Sequence, residues 1–349
     1  MLRLLRPLLR SRLLILILLI APISLSAAPS AQAAEKGKVI TRNFCVFDPV
    51  GANGPLFAIV KTFVPIALEA GVRLKLHAYT DEQVAAADFK QGQCDGVLLT
   101  GTRARQFNKF TGSLEALGAI PNKEDMKILF NTLTQAKAAP LMTNGDYEVA
   151  GIFPAGAVYL YTRDRSIDRV EELQGKKIAT LDYDKASLTM VRYVGASVVG
   201  ANAATFASLF NNGSVDICYA PAVAYQPLEL YKGLGSKGGI FKYAVAYMNF
   251  QVILHRHRFP PQAAQMVRDE SRKKIDEAYK IIADAEAGVP KKYWMYPTPN
   301  QVEQYNAILA KVRLKLRDEG VYDARALKLM RAVRCKVDPT RAECALAME

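Results

Sequence analysis

Apolar and polar residues alternate over residues 39–47 and again over 73–79, the two-residue period of half-buried strands. Between them, residues 56–70 carry the spacing of an amphipathic helix that stops at Gly71. Thr80-Asp81-Glu82 caps and opens a second helix, which runs to Lys90, and 95–100 reads as a third strand. The order β-α-β-α-β begins an open parallel sheet. Ligand crevices of such sheets lie beyond the carboxyl ends of the strands, here at 47–53, 79–81 and 100–105.

One pattern occurs twice. Phe89-Lys90-Gln91-Gly92-Gln93-Cys94-Asp95 and Phe210-Asn211-Asn212-Gly213-Ser214-Val215-Asp216 share F-x-x-G-x-x-D, and an apolar run follows each. The Phe closes a helix, the Gly takes the left-handed position after it, and a buried strand begins past the Asp. Two copies this far apart predict two similar α/β lobes in one chain. Residues 147–153 and 158–162 read as two short β runs separated by Pro154-Ala155-Gly156, the first crossing between lobes. Residues 240–254 are β-rich and cross back. Helices are expected over 123–136, 261–285, 299–317 and 324–333, with Tyr293-Trp294-Met295-Tyr296-Pro297 as an aromatic staple.

The expected organisation is a signal peptide over 1–33, lobe I over 34–154 with a return segment at about 247–290, lobe II over 155–246, and a C-terminal helical segment over 291–349. Arg3, Arg6, Arg10 and Arg12 precede an apolar run at 13–23, and Ala31-Gln32-Ala33 is a small-x-small cleavage site. These features predict export to the periplasm. The formal charge is +13, and removing the four arginines of this segment leaves +9, spread along mixed-charge helices rather than gathered for nucleic acid. An exported chain permits disulfides. Cys335 and Cys344 bracket a turn-rich loop and are expected to pair; Cys45 and Cys94 both border first-lobe strands and form a second candidate pair. Cys218, inside an apolar strand, is expected free.

Several motifs look like chemistry without its context. Gly233-Leu234-Gly235-Ser236-Lys237-Gly238 matches G-x-G-x-x-G but follows a helical stretch and precedes a strand, the reverse of a dinucleotide fingerprint. His255 and His257 are expected at the surface beside Pro260-Pro261, and His77 reads as structural. No nucleophile-and-base motif, P-loop or metal signature is present in the sequence. The reading is therefore non-catalytic, with no cofactor and no metal.

Glu172-Leu173-Gln174-Gly175-Lys176-Lys177-Ile178, then Val194-Gly195-Ala196, the 206–216 segment and Pro221 resemble the solute-binding proteins of TRAP-type transporters. Arg258-Phe259-Pro260-Pro261-Gln262 is similar to their helix start after the second crossing. The run 95–112 resembles a little-characterised exported family of solute-binding proteins, some of them labelled as components of RND-type efflux systems. The resemblance implies a two-lobed type II periplasmic-binding-protein fold. It also implies capture of a small-molecule solute and partnership with inner-membrane transporter subunits. The alternatives are a non-catalytic accessory role in efflux and an exported small-molecule enzyme on the same fold.

Two departures bear on the ligand. The arginine with which TRAP-type binders clamp a carboxylate is Ala179 here, and the Asn of their N-P is Ala220. Arg103 and Arg105, past the third strand, are the candidate replacement cations. Asp48, Asn53, Thr100, Arg103, Arg105, Asp182, Tyr183 and Tyr219 end or follow predicted parallel strands and are the expected ligand-binding residues.

Overall fold

The computed structural model describes residues 39–345 and Glu349. The expected signal peptide lies outside the described residues. The strands are β1 (Ile40–Phe47), β2 (Val72–Tyr79), β3 (Gly96–Thr100), β4 (Thr143–Asn144), β5 (Tyr147–Thr162), β6 (Lys177–Leu181), β7 (Ser197–Ala201), β8 (Ile217–Pro221), β9 (Gly239–His255) and β10 (Trp294–Met295). They form one mixed sheet in the order β2-β1-β3-β9-β5-β8-β6-β7, with β10 beside β9 and β4 beside β5.

The two long strands organise the molecule. β5 and β9 run antiparallel from Tyr147 opposite His255 to Thr162 opposite Gly239. β3 pairs with the C-terminal part of β9, and β8 with the C-terminal part of β5. Two parallel half-sheets, β2-β1-β3 and β8-β6-β7, are thus joined through an antiparallel pair that belongs to both. The register of that pair shifts between Val149 and Gly151, Pro154 and Gly156, and Val158 and Leu160.

β5 corrects the expectation of two separate runs. Pro154 and Gly156 do not end the strand; they sit at a register shift, where the missing Pro N–H and the Gly φ of +103° are accommodated. The expected helix over 56–70 is also divided, into Pro55–Lys61 and Val64–Glu69. Pro65 explains the division: inside one continuous helix it would remove a backbone hydrogen bond and clash with the preceding turn. Similarly, 261–285 is two helices, Ala263–Lys273 and Ile275–Gly288, meeting at Lys274.

The repeated pattern does the same work in both half-sheets. Phe89 and Phe210 are fully buried, and Gly92 and Gly213 adopt φ of +80° and +83°. Each Asp then braces its half-sheet: Asp95 accepts the Asn43 N–H at 2.7 Å, and Asp216 accepts the Lys177 N–H at 2.8 Å. An arginine closes each turn, Arg258 donating to the Gly92 carbonyl and Arg163 to the Phe210 carbonyl.

Cys45 in β1 is bridged to Cys94 just before β3, and Cys335 to Cys344; Cys218 is free and buried. The long helix Pro299–Asp318 spans the joint between the half-sheets. Leu309, Val312 and Leu316 enter the core built on β1 and β3, while Tyr305 stacks on Phe241 and Tyr243 of β9. Trp294, in the aromatic staple, meets the Tyr159 ring edge-on at 5.2 Å. The Gly233–Gly238 motif ends a short helix and leads into β9, as its sequence context requires. Among the described residues no helix is long and apolar enough to cross a membrane.

Candidate functional site: a cleft between the half-sheets

A cavity of about 660 Å³ lies where the two half-sheets meet. Its lining comes from the helices 55–69, the bulged middle of β5, β9 around Val245 to Met248, the helix Ile275–Gly288, and the ends of β3, β6 and β8. The side chains are overwhelmingly apolar, among them Phe63, Phe153, Val158, Phe206, Met248 and Ile282. The charged residues of the lining are mostly acids: Asp48, Glu82, Glu115, Asp184 and Glu277 against Arg105 and Lys274.

Of the eight expected ligand residues, Asp48, Thr100, Arg105, Tyr183 and Tyr219 line the cavity, whereas Asn53, Arg103 and Asp182 do not. Asn53 and Asp182 are exposed. Each follows its strand end as expected, but the local turn carries it to the surface. Arg103 is buried behind the wall, its guanidinium 3.3 Å from the centroid of the Tyr183 ring. Its Nε and Nη2 make no hydrogen bond among the described residues, and Nε lies 3.8 Å from the Glu82 carboxylate as an ion pair.

The polar groups of the lining are already engaged. The Asp48 carboxylate accepts the Val50 and Phe57 backbone N–H groups at 2.9 and 3.0 Å and so caps the helix that begins at Pro55. Gly54 makes this possible, because a Cβ there would lie 2.1 Å from an Asp48 oxygen. Thr100 donates its N–H to Glu82 at 2.6 Å and accepts the Arg103 N–H at 3.2 Å. Tyr219 accepts the Leu181 N–H at 3.2 Å, and its ring packs edge-on against Phe206.

Beside the Arg103–Tyr183 ring contact, two hydrogen bonds cross from one half-sheet to the other. Arg105 Nη1 donates to Asp184 Oδ1 at 3.2 Å, and the Tyr183 hydroxyl donates to Glu82 Oε2 at 2.8 Å. Asp184 also caps the helix Lys185–Tyr193 through the Ala186 and Ser187 N–H groups. Burial pulls the Arg105 pKa down, but Asp184, with Tyr322 and Glu115, together more than offset this and hold it above its ordinary value. Glu82 is fully buried, and burial raises its pKa against the opposing pull of the Thr100 and Tyr183 donors. Glu115 accepts the Asn249 N–H at 2.7 Å and the Thr102 hydroxyl; burial pushes its pKa up to about 7.

Sequence reading placed Arg105 and Tyr183 at the cleft but missed Glu82, Glu115 and the locking part of Asp184. Glu82 and Asp184 carry a signal only as residues at helix starts. Glu115 carries none, since its partner Asn249 is 134 positions away. Ala179, at the family's clamp position, is fully buried in the second half's core, and Ala220 is also buried. The described residues offer no arginine there to replace the clamp.

The family model for solute-binding protein AdeT 1/2 matches residues 64–349. The chain is 39% identical over 301 residues to "Probable solute-binding protein AdeT1" of Acinetobacter baumannii, covering 86% of this chain and 99% of that protein. It is similar in fold to a TRAP periplasmic solute binding protein of Desulfovibrio salexigens with bound orotic acid (TM-score 0.69, 13% identity, 85% of this chain and 99% of that one). A TRAP periplasmic solute binding protein of Desulfovibrio desulfuricans with bound sn-glycerol-3-phosphate gives a TM-score of 0.69 at 15% identity, covering 84% and 97%. The chain belongs to the AdeT 1/2 family of solute-binding proteins, which are not enzymes, and has the two-lobed fold of TRAP-type periplasmic binding proteins.

Proposed function

We propose that this protein captures a small solute with a large apolar body in the cleft between its lobes and presents it to inner-membrane transporter subunits. The observation that carries this reading is the cavity: about 660 Å³, apolar over most of its wall, with its carboxylates and Arg105 bound to the protein itself. That volume suits a drug-sized or metabolite-sized molecule. A solute that buries roughly 300 Å² of apolar surface gains about 7 kcal/mol before the costs of association. A charge-assisted arginine bond contributes about 1.5–3 kcal/mol. Apolar burial therefore outweighs the clamp that Ala179 removes. The acids of the lining outnumber its cations, which favours a neutral or cationic solute over a dicarboxylate.

In this reading, lobe I comprises 34–154 with a return at about 247–290, lobe II comprises 155–246, and 291–349 packs across them. The signal over 1–33 is removed on export to the periplasm. The solute favours the closed arrangement by its greater affinity for it. Asp48, Thr100, Arg105, Tyr183 and Tyr219 frame the solute. A second possibility rests on Arg103, whose Nε and Nη2 make no hydrogen bond and whose charge faces Glu82 at 3.8 Å: with the lobes apart and Tyr183 withdrawn, its Nη2 can reach one acceptor group of the solute.

A thermal-shift screen of the exported protein tests the reading. Neutral aromatics, organic cations and small dicarboxylates are compared at equal concentration. Stabilisation by members of the first two sets, with dicarboxylates inert, supports it. Stabilisation by dicarboxylates alone refutes it. An anionic ligand whose affinity falls tenfold or more in Arg103→Ala or Arg105→Ala would restore an arginine clamp.

A further inference from the structure

Where the start of β5 meets the end of β9, three side chains converge from distant parts of the sequence. Asp146 lies in the turn between β4 and β5, His255 ends β9, and His257 follows it. His255 Nδ1 is 3.0 Å from Asp146 Oδ2, and His257 Nδ1 is in contact with Asp146 Oδ1. One ligand atom from each of the three lies within 4.8 Å of the other two. The Arg256 N–H donates to the Asp146 carbonyl at 2.9 Å, which fixes the two segments against each other.

The hydrogen bonds of His255 point to what belongs between these groups. Its Nε2 faces the Phe89 carbonyl at 2.8 Å, so this nitrogen carries the proton and donates. In the neutral ring Nδ1 is then a bare lone pair, yet it faces a carboxylate oxygen, also an acceptor. Two acceptors at that distance repel unless a positive charge stands between them. The ring is 94% buried, packed on Phe89 with centroids 4.4 Å apart and on Tyr147 at 5.3 Å, which holds Nδ1 in its direction toward Asp146. Metal-ligating histidines commonly donate their second ring N–H to a backbone carbonyl, which orients the free nitrogen toward the ion.

We propose that Asp146, His255 and His257 bind a divalent transition-metal ion of the zinc class through one carboxylate oxygen and the two Nδ1 atoms. A tetrahedral zinc ion with bonds of about 2.0–2.1 Å spaces its ligands roughly 3.4 Å apart. The three ligand atoms, all within 4.8 Å of one another, enclose a space of that scale. Two imidazoles and one carboxylate suit zinc, copper or nickel better than calcium or magnesium, which prefer all-oxygen sets. Asp146 and His257 are about half exposed, so water completes the shell. The ion ties the β4–β5 turn to the end of β9 and is a structural pin on lobe I, independent of the solute reading.

Zinc(II) is titrated calorimetrically into tag-free protein that has been stripped with chelator and then freed of it, near neutral pH. His257→Ala and Asp146→Asn are the test variants, because both positions are exposed enough to change without opening the core. His77→Ala is the control. One saturable equivalent in the wild type and the control is expected, with affinity falling roughly tenfold or more in each test variant. Cobalt(II) should give a visible absorption band that both variants lose. No uptake of zinc or cobalt at millimolar concentration overturns the proposal. Unchanged affinity in both test variants overturns it equally.

Discussion

Arg105 looked, from its place after the third strand, like a cation waiting for a ligand; in the structure it is committed to Asp184 on the opposite half-sheet. Both side chains are largely buried. Removing one partner strands the other charge, which costs about 3 kcal/mol in such settings. Arg105→Ala and Asp184→Ala should each lower the denaturation midpoint, and the double variant should lose less than the sum, a coupling that a double-mutant cycle reads. Additive losses would mean that the pair does not hold the lobes together. Glu115 gives a pH signature. Its folded pKa, about 7, stands above the unfolded value of 4.5, so the folded state holds the extra proton between them. Stability should therefore fall as pH rises from about 4.5 to about 7, by about 3 kcal/mol for this group, and level off above. Glu82 adds to the same slope, in the same direction. Glu115→Gln should flatten the curve measured by denaturant titration across this window. At this scale the sequence was legible where a residue's task is local, as with Gly92 and Gly213 after their helices. It was opaque where partners are remote: nothing near His255 in sequence announces Asp146, 109 positions earlier, and so a buried ring was expected at the surface.

At the scale of elements, most strands and helices followed from periodicity and punctuation, and the failures share a cause. Proline and glycine were read as stops at 154–156, yet β9 pairs with β5 on both sides of them and carries the strand through. Proline at Pro65, with no strand or partner to bridge it, did divide its helix. Tertiary pairing therefore decides whether such residues break an element or only bend it. Gly156 is the test case. Its φ is +103°, and a Cβ there would sit 3.0 Å from Ile282 Cγ2, on the helix that lines the cavity. Gly156→Ala should cost about 1–3 kcal/mol through backbone strain, lowering Tm with little change in circular dichroism. A neutral substitution would show that the bulge is not held in this conformation. Because β5 joins the lobes here, the same variant should also weaken binding of any solute found by screening.

At the scale of the whole molecule, two half-sheets, two shared strands and one spanning helix build a clamp whose interior is apolar. The two-lobed plan was legible, because the F-x-x-G-x-x-D pattern marks the same turn in each half. The character of the cleft was not, since its wall is assembled from side chains drawn from most of the chain and no short stretch displays it. The central claim is that burial of apolar surface, rather than a charge clamp, holds the solute. The most direct measurement is titration calorimetry of the best ligand from the screen, at several temperatures and two salt concentrations. A clearly negative heat-capacity change, with affinity nearly indifferent to salt, is the predicted result. A heat-capacity change near zero, with affinity falling steeply as salt rises, would contradict it.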